Sequence, residues 1–547
     1  MTAMEKRMNE LTPSARLKRW AALFLLLLTV LGLLMMDGYG VPCDERSEQV
    51  ILQENLKEYA LALGDENAVA YYDAIGVQRA AESIERDHGQ AAYYPIAAAL
   101  QIEDGWLKST LFHAWTWLIF MEGVAALYML CRGIGVGHVL SAAAGLMLYL
   151  SPRFFAEGHY NNKDVVLLSL VLLTLAIGVR FLQRPKASTA AAFSLVGALA
   201  TNTKIVGAWA WGLVCLFTLV RLIARRELTW AKVRLGLLTL AVYLGAYALL
   251  TPALWSGPLA YVRYVLGNAS GFTRWPGVVV YQGMTFDQAG GQALPHFYLP
   301  IMILSTTPVM YLLLMAFGQV RALLDVGRGR EPLKDGRLCA LLVLTLFWTV
   351  PLVYAVFARP LMYNGWRHFY FLYAGLCALG GYGMQTVADA MRKADAGRAI
   401  CGFALCCMFG YYGVGILINH PYQYAYYNSI AANQNLERDY ELDYWDVSTN
   451  EALKLLCTTE ARNRALDIVV AGSDPMSQFG LDQGYPSLPA GYRALLRVAD
   501  DPAQANYIFL NTTYARIYSA SIPEGYRPLL TLTSYGSRIC EIYEKLP

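Results

Sequence analysis

Two neighbouring stretches near the start decide the fold: Trp20–Met36, WAALFLLLLTVLGLLMM, and Val41–Glu48, VPCDERSE. The first is apolar and uncharged, of the roughly 17–25 residues that a helix needs to cross a bilayer. Lys6, Arg7, Arg16, Lys18 and Arg19 precede it, and no small-residue cleavage site follows Met36. It therefore reads as a first anchor helix entering from the cytoplasm, not as a removable signal. The second stretch sets two adjacent carboxylates, a guanidinium and a third acid at the far mouth of that helix. Charged groups at an interface need no partner, so a solvated loop start would look the same. What raises its interest is how many other ionisable residues the chain brings to that side.

The whole chain, 547 residues with 56% hydrophobic and 16% charged residues, has a mean hydropathy of +0.35. That is too apolar for an ordinary soluble enzyme and implies a polytopic α-helical membrane protein. A net charge of +3, without a basic tract apart from the membrane flanks, argues against nucleic acid as a partner. Seven of the ten cysteines sit in or beside apolar runs, where thiols act as small hydrophobes. None has metal-ligand spacing, and Cys457–Cys540 is left open as a disulfide.

Further apolar runs fall at about 109–130, 137–151, 165–182, 188–205, 207–224, 235–253, 298–318, 338–357, 369–386 and 400–418, which makes about 11 transmembrane helices. Charge sets their direction. With the N-terminus inside, the inner segments carry 22 of the chain's 44 Lys and Arg, while the outer loop 37–108 holds five against fourteen Asp and Glu. This is the positive-inside pattern, and an odd number of spans leaves residues 419–547 outside.

Within 37–108, Glu45–Leu63 and Val69–Arg86 read as helices, with Glu48, Leu52, Leu56 and Tyr59 at the spacing of an amphipathic surface. Beyond the last span, 465–471 (ALDIVVA) and 506–511 (NYIFLN) read as buried strands and Asn450–Ala461 as a helix. The expected division is a transmembrane domain, 1–418, and a small extracytoplasmic α/β domain, 419–547.

The outer turns hold the candidate chemistry. Ser151–Asp164, SPRFFAEGHYNNKD, opens directly onto a span. Asn162 or Asp164 would cap that helix, but capping leaves Glu157, His159 and Lys163 unexplained. An acid, an imidazole and an ammonium together suit a phosphate or a phosphate-bound cation. Lys204 ends the fifth span, where it would snorkel to the interface or serve a lipid-linked phosphate. Arg367 and His368 also lie outside, against the positive-inside bias, and Arg suits bidentate phosphate contacts. Trp255, Trp275 and Tyr281 in the loop 254–297 are interfacial anchors or platforms for a sugar ring.

An anchor helix followed by an Asp-Glu pair in a long, partly helical outer loop resembles the C-type (GT-C) membrane glycosyltransferases. It is most similar to family 39, the protein O-mannosyltransferases and lipid A aminoarabinose transferases. Asp44-Glu45-Arg46-Ser47-Glu48 resembles their first-loop motif, with the Arg and Glu slightly compressed. Asn161–Asp164 resembles the second outer acidic motif, and Gly365–His368 and His420–Tyr424 resemble stretches of bacterial relatives. The tail's Glu441-Leu442-Asp443-Tyr444-Trp445 is similar to bacterial sequences too, without a chemistry attached. The resemblance covers roughly residues 20–430.

It implies an inverting glycosyltransferase that moves a sugar from a polyprenyl-phosphate donor to a lipid, glycan or protein acceptor at the outer face. Asp44 would be the general base and Glu45 would orient it or the acceptor. Lys163, Lys204 and Arg367 would hold the phosphate, and Arg46, Glu48, Asn162 and His368 would complete the substrate site. Asp164 and His159 would bind the sugar or a divalent metal ion, and no other cofactor is implied. The expected location is a bacterial inner membrane, among membrane lipids, with the C-terminal domain periplasmic. The competing reading, a transporter or lipid flippase, requires ionisable groups near the bilayer midplane and internal repeats.

Overall fold

The computed structural model describes residues 13–270, 277–392, 394, 396–431, 434–463 and 468–547. Lys6, Arg7, Trp275 and the first residues of the expected strand at 465–471 lie outside the described residues.

Apolar runs of bilayer length become helices because a helix satisfies its own backbone polar groups where water cannot. In chain order these are α1 (Pro13–Leu34), α2 (Glu45–Leu63), α3 (Glu66–Ala74), α4 (Gly105–Gly133), α5 (His138–Tyr149), α6 (Pro152–Tyr160), α7 (Asp164–Gln183), α8 (Ala187–Thr203), α9 (Gly207–Ala224), α10 (Trp230–Leu250) and α11 (Pro258–Ser270). A hairpin follows, β1 (Val278–Tyr281) and β2 (Met284–Asp287), then α12 (Tyr298–Thr306), α13 (Val309–Arg328), α14 (Gly336–Ala358), α15 (Tyr373–Met391) and α16 (Gly397–Ile418). Eight of them, α1, α4, α7, α9, α10, α13, α14 and α16, are long and apolar enough to cross a membrane. A ninth span results if α5 and α6, bent by 70° to each other, are taken together.

The remaining expected spans are α8, with 17 residues, and the glycine-rich α15. In α15 glycine serves packing: a side chain at Gly383 would meet the Leu314 carbonyl of α13 at 2.4 Å, and one at Gly318 the Leu379 carbonyl at 1.8 Å. The run expected at 298–318 is broken at Thr307-Pro308, because proline supplies no N–H to a continuing helix.

Hydrogen bonds gather the connections into two sets. At one end Arg225 reaches the Lys334 carbonyl and Gly137 N–H the Gln385 side chain. At the other end Gly89 N–H meets the Asn202 carbonyl and Asn428 N–H that of Ser305. This second end carries the first loop and the tail. There α2 begins and ends as the spacing predicts, closed by Gly64 at φ +71°. The expected helix at 69–86 stops at Ala74. Residues 77–80 instead lie along α2: Lys57 donates to the Val77 carbonyl (2.5 Å), Gln78 to Glu54 (2.7 Å), and Arg79 to both oxygens of Glu58 (2.7 and 2.8 Å).

The tail contains α17 (Ser448–Asn463), β3 (Ile468–Gly472), α18 (Pro475–Gly484), β4 (Leu496–Val498), β5 (Tyr507–Asn511), α19 (Thr512–Ile517), β6 (Tyr526–Ser534) and β7 (Ser537–Lys545). The strand order is β4-β3-β5-β7-β6, parallel in the first three and antiparallel in the rest. Leu453, Val470, Leu481, Phe509 and Ile542 form its own core. Tyr424, Tyr440, Leu442, Tyr444 and Trp445 instead pack into the main core of the helical bundle. Cys457 and Cys540 are both buried and free, so the disulfide left open above is not formed.

Candidate active site

The first loop, the turn into α7, the end of α8 and the segment before α15 enclose a cavity of about 970 Å³. Asp44, Glu48, Lys163, Lys204, Arg367 and His368 line it, so residues from four parts of the sequence meet at one cavity. Ile51, Ile205, Pro351, Tyr354, Leu361 and Phe371 add apolar lining, and Met476, Phe479 and Tyr514 line it from the tail.

Asp44 precedes the first turn of α2 and is 30% exposed to the cavity. Its Oδ2 accepts a hydrogen bond from Arg367 Nη1 at 2.8 Å and lies 3.9 Å from Lys163 Nζ. Burial pushes its carboxyl up, but Arg367 and Lys163 outweigh that and hold it below the ordinary value. Four residues on, and so on the same helix face, Glu48 is 2% exposed. It pairs with Lys163, accepts from Gln90, and faces His88 Nε2 at 3.4 Å. Here too burial is outweighed, by Lys163 and His88, and the carboxyl is held well down.

Arg367 is 5% exposed, and its guanidinium lies between the Tyr363 ring, 4.6 Å away, and the Trp445 ring, 4.4 Å away. Lys204 follows α8 and is paired with Asp164, the first residue of α7. Burial lowers the Lys204 ammonium, against the pull of Asp164. His368 sits well below its usual range through burial, then Lys204, Arg367 and Lys163, so it is a neutral imidazole among three cations.

Several expected residues stand elsewhere. Glu45 is turned away from the cavity: its carboxylate takes His113 Nε2 at 2.8 Å, Ser109 Oγ at 3.0 Å and Gln49 Nε2 at 3.1 Å. One helical step from Asp44 rotates a side chain by about 100°, so the pair cannot act together. Arg46 is exposed on the outside of α2. Asn162 is buried but does not line the cavity. Asn161 closes the turn into α7, accepting from the N–H groups of Lys163 (3.3 Å) and Asp164 (2.8 Å). His159 is fully buried, stacked on Trp117 at 4.0 Å and Tyr39 at 4.4 Å, with its nitrogens at the carbonyls of Phe155 and Gly32. His159 and Asp164 therefore do not meet, and the metal pairing expected of them fails. Asp164 is 1% exposed and pairs with Lys204.

Among the described residues the trio with clustered metal-ligand atoms is Glu85, Asp87 and His88, within 4.8 Å of one another on the cavity wall. Their signal in the sequence was only a Glu-Arg-Asp-His run in an acidic loop. Trp445, Tyr363 and Asn364 carried no chemical signal of their own in the sequence, since their contacts with Arg367 arise only in the fold.

No protein-family model and no curated protein matches the chain. Among solved structures it is similar to ArnT from Cupriavidus metallidurans bound to undecaprenyl phosphate, at TM-score 0.46 and 12% identity over 96% of this chain and 98% of that one. The same protein in the apo state gives TM-score 0.46 and 14% identity with the same coverage. Arabinofuranosyltransferase AftD from Mycobacteria gives 0.42 and 13%, over 96% of this chain and 41% of that one. These are likenesses of chain arrangement, and the chemistry of the cavity stands apart from them.

Proposed function

We propose that this protein is an inverting glycosyltransferase of the inner membrane that transfers a sugar from a polyprenyl-phosphate donor to a hydroxyl acceptor at the extracytoplasmic face. The observation that carries this reading is the Asp44–Arg367 contact at 2.8 Å, with Lys163 at 3.9 Å, in a cavity lined by both charged and apolar side chains. A lipid-linked phosphate needs both kinds of lining, cations for its head and apolar side chains for its chain.

The chemistry follows from the residues. The acceptor oxygen attacks the anomeric carbon, the bond from that carbon to the phosphate oxygen breaks, and the electron pair leaves with the lipid phosphate. Asp44 takes the hydroxyl proton. Arg367, Lys163 and Lys204 stabilise the charge that develops on the phosphate, so a general acid is unnecessary. In the free protein Arg367 and Lys163 make Asp44 a weak base. An arriving phosphate competes for both cations, and Asp44 becomes more basic as the donor binds. Glu85, Asp87 and His88 could hold a divalent ion at the rim, and no step above runs through it. Asp44, Lys163, Lys204 and Arg367 stand at helix ends, before α2, before α7, after α8 and before α15, which favours this reading over a transport path with ionisable groups near the midplane.

The test is the protein reconstituted in vesicles with polyprenyl-phosphate hexoses and pentoses and a cell-envelope extract as acceptor. Release of polyprenyl phosphate together with a product of inverted anomeric configuration supports the reading. Lipid translocation with the sugar–phosphate bond intact contradicts it.

A further inference from the structure

Glu441–Asp446, ELDYWD, runs between the helical bundle and the tail's sheet, and all six residues are buried. The corner between β5 and α19 grips it from the tail side. The Asn511 amide donates to the Asp443 carbonyl (2.8 Å) and to Asp446 Oδ1 (2.6 Å). Thr513 Oγ1 accepts the N–H groups of Leu442 and Asp443, both at 3.1 Å, and Tyr514 OH donates to the Tyr444 carbonyl at 2.7 Å.

On its other side the segment touches the reaction centre. The Trp445 carbonyl accepts the N–H of Cys43, the residue before Asp44, at 2.9 Å. The Trp445 ring faces the Arg367 guanidinium at 4.4 Å. Glu441 accepts the Val280 N–H at 3.4 Å, and the Asn364 side chain and the Gly365 backbone stand close enough to favour its ionised form. Asn364 Oδ1 in turn accepts Arg367 Nη2 at 3.3 Å. Asn364 and Gly365 have φ of +50° and +73°, a left-handed pair that a non-glycine residue adopts only when held.

We infer that Trp445 and Glu441 are positioning residues for the transfer reaction proposed above: clamped by the α/β domain, they fix Arg367 and Asp44 at their contact. The inference rests on that reading for its consequence in catalysis, and on the contacts alone for its geometry. The α/β domain is then part of the reaction centre and not an appended module. Burial pushes the Glu441 carboxyl up to about 8, so near neutral pH it holds the turn as a neutral acid, and glutamine is its close substitute.

The experiment uses the full-length protein in detergent and farnesyl monophosphate as the probe. Trp445→Leu and Glu441→Leu should each weaken its binding about tenfold. Trp445→Phe, which keeps a ring, and Glu441→Gln, which keeps a neutral hydrogen-bonding head, should stay within about threefold. In an Arg367→Ala background the leucine substitutions should add almost nothing, because their effect runs through Arg367. Additive losses without rescue by Phe or Gln would show a merely structural role and overturn the inference. A second arm needs no ligand. Hydrogen exchange in both leucine variants should quicken at residues 41–46 and 361–369 while α7 is unchanged. If wild-type protein binds no prenyl phosphate, the donor reading fails, yet exchange still decides: unchanged rates at 361–369 overturn the positioning role.

Discussion

Side chains one residue apart on a helix point about 100° away from each other, and at Asp44 and Glu45 this separates a cavity from a helix interface. Sequence pairs them because they are adjacent. The residue that shares the cavity with Asp44 is Glu48, at the i, i+4 spacing that was equally legible. Glu48 is 2% exposed against Lys163, so Lys163→Met leaves its buried charge with His88 as the remaining cation and should cost roughly 3 kcal/mol in thermal unfolding. Adding Glu48→Gln should recover most of that loss. Arg367→Lys keeps the charge but loses the forked geometry, and should weaken farnesyl phosphate binding by about tenfold. His159 and Glu157 were misread from their place in a polar turn: both are fully buried, and burial is a property of packing that local sequence does not carry.

At the scale of elements, the apolar runs gave the helices and their order, and 45–63 emerged as read. The segment 75–90 did not, because its conformation is set by side chains of α2 and not by its own periodicity. Glu58→Ala, which releases Arg79 and the Ala80 N–H, should free this segment and speed exchange across 77–90, leaving α7 unchanged. The same segment has a pH signature through His88. Burial alone would lower the imidazole, but Glu48 outweighs it and the group is raised from 6.5 to about 9. A raised base contributes stability that is complete below its ordinary value and lost as pH rises through the folded one. Glu48 is depressed, so its share is present above 4.5 and lost only in acid. Protection of residues 83–90, corrected for intrinsic exchange, should thus hold near pH 6 and fall between 6.5 and 9, and His88→Gln should flatten that fall.

For the whole molecule, charge bias in the sequence predicts an orientation with the first loop outside. Arg46→Cys on the first loop should react with an impermeant maleimide in intact spheroplasts, and Arg330→Cys, at the opposite end, only after permeabilisation. Both positions are exposed, so failure to label would reflect sidedness and not burial. What sequence could not show is convergence. Asp44 and Arg367 are 323 positions apart, and the tail motif that braces them has no chemistry of its own. The convergence on Asp44 as the base is tested most directly by Asp44→Asn, assayed in vesicles for transfer from a polyprenyl-phosphate sugar and, in parallel, for farnesyl phosphate binding. The account predicts a fall in turnover of at least ~100-fold with binding kept within a few-fold. An Asn variant that keeps most of the wild-type rate would contradict it.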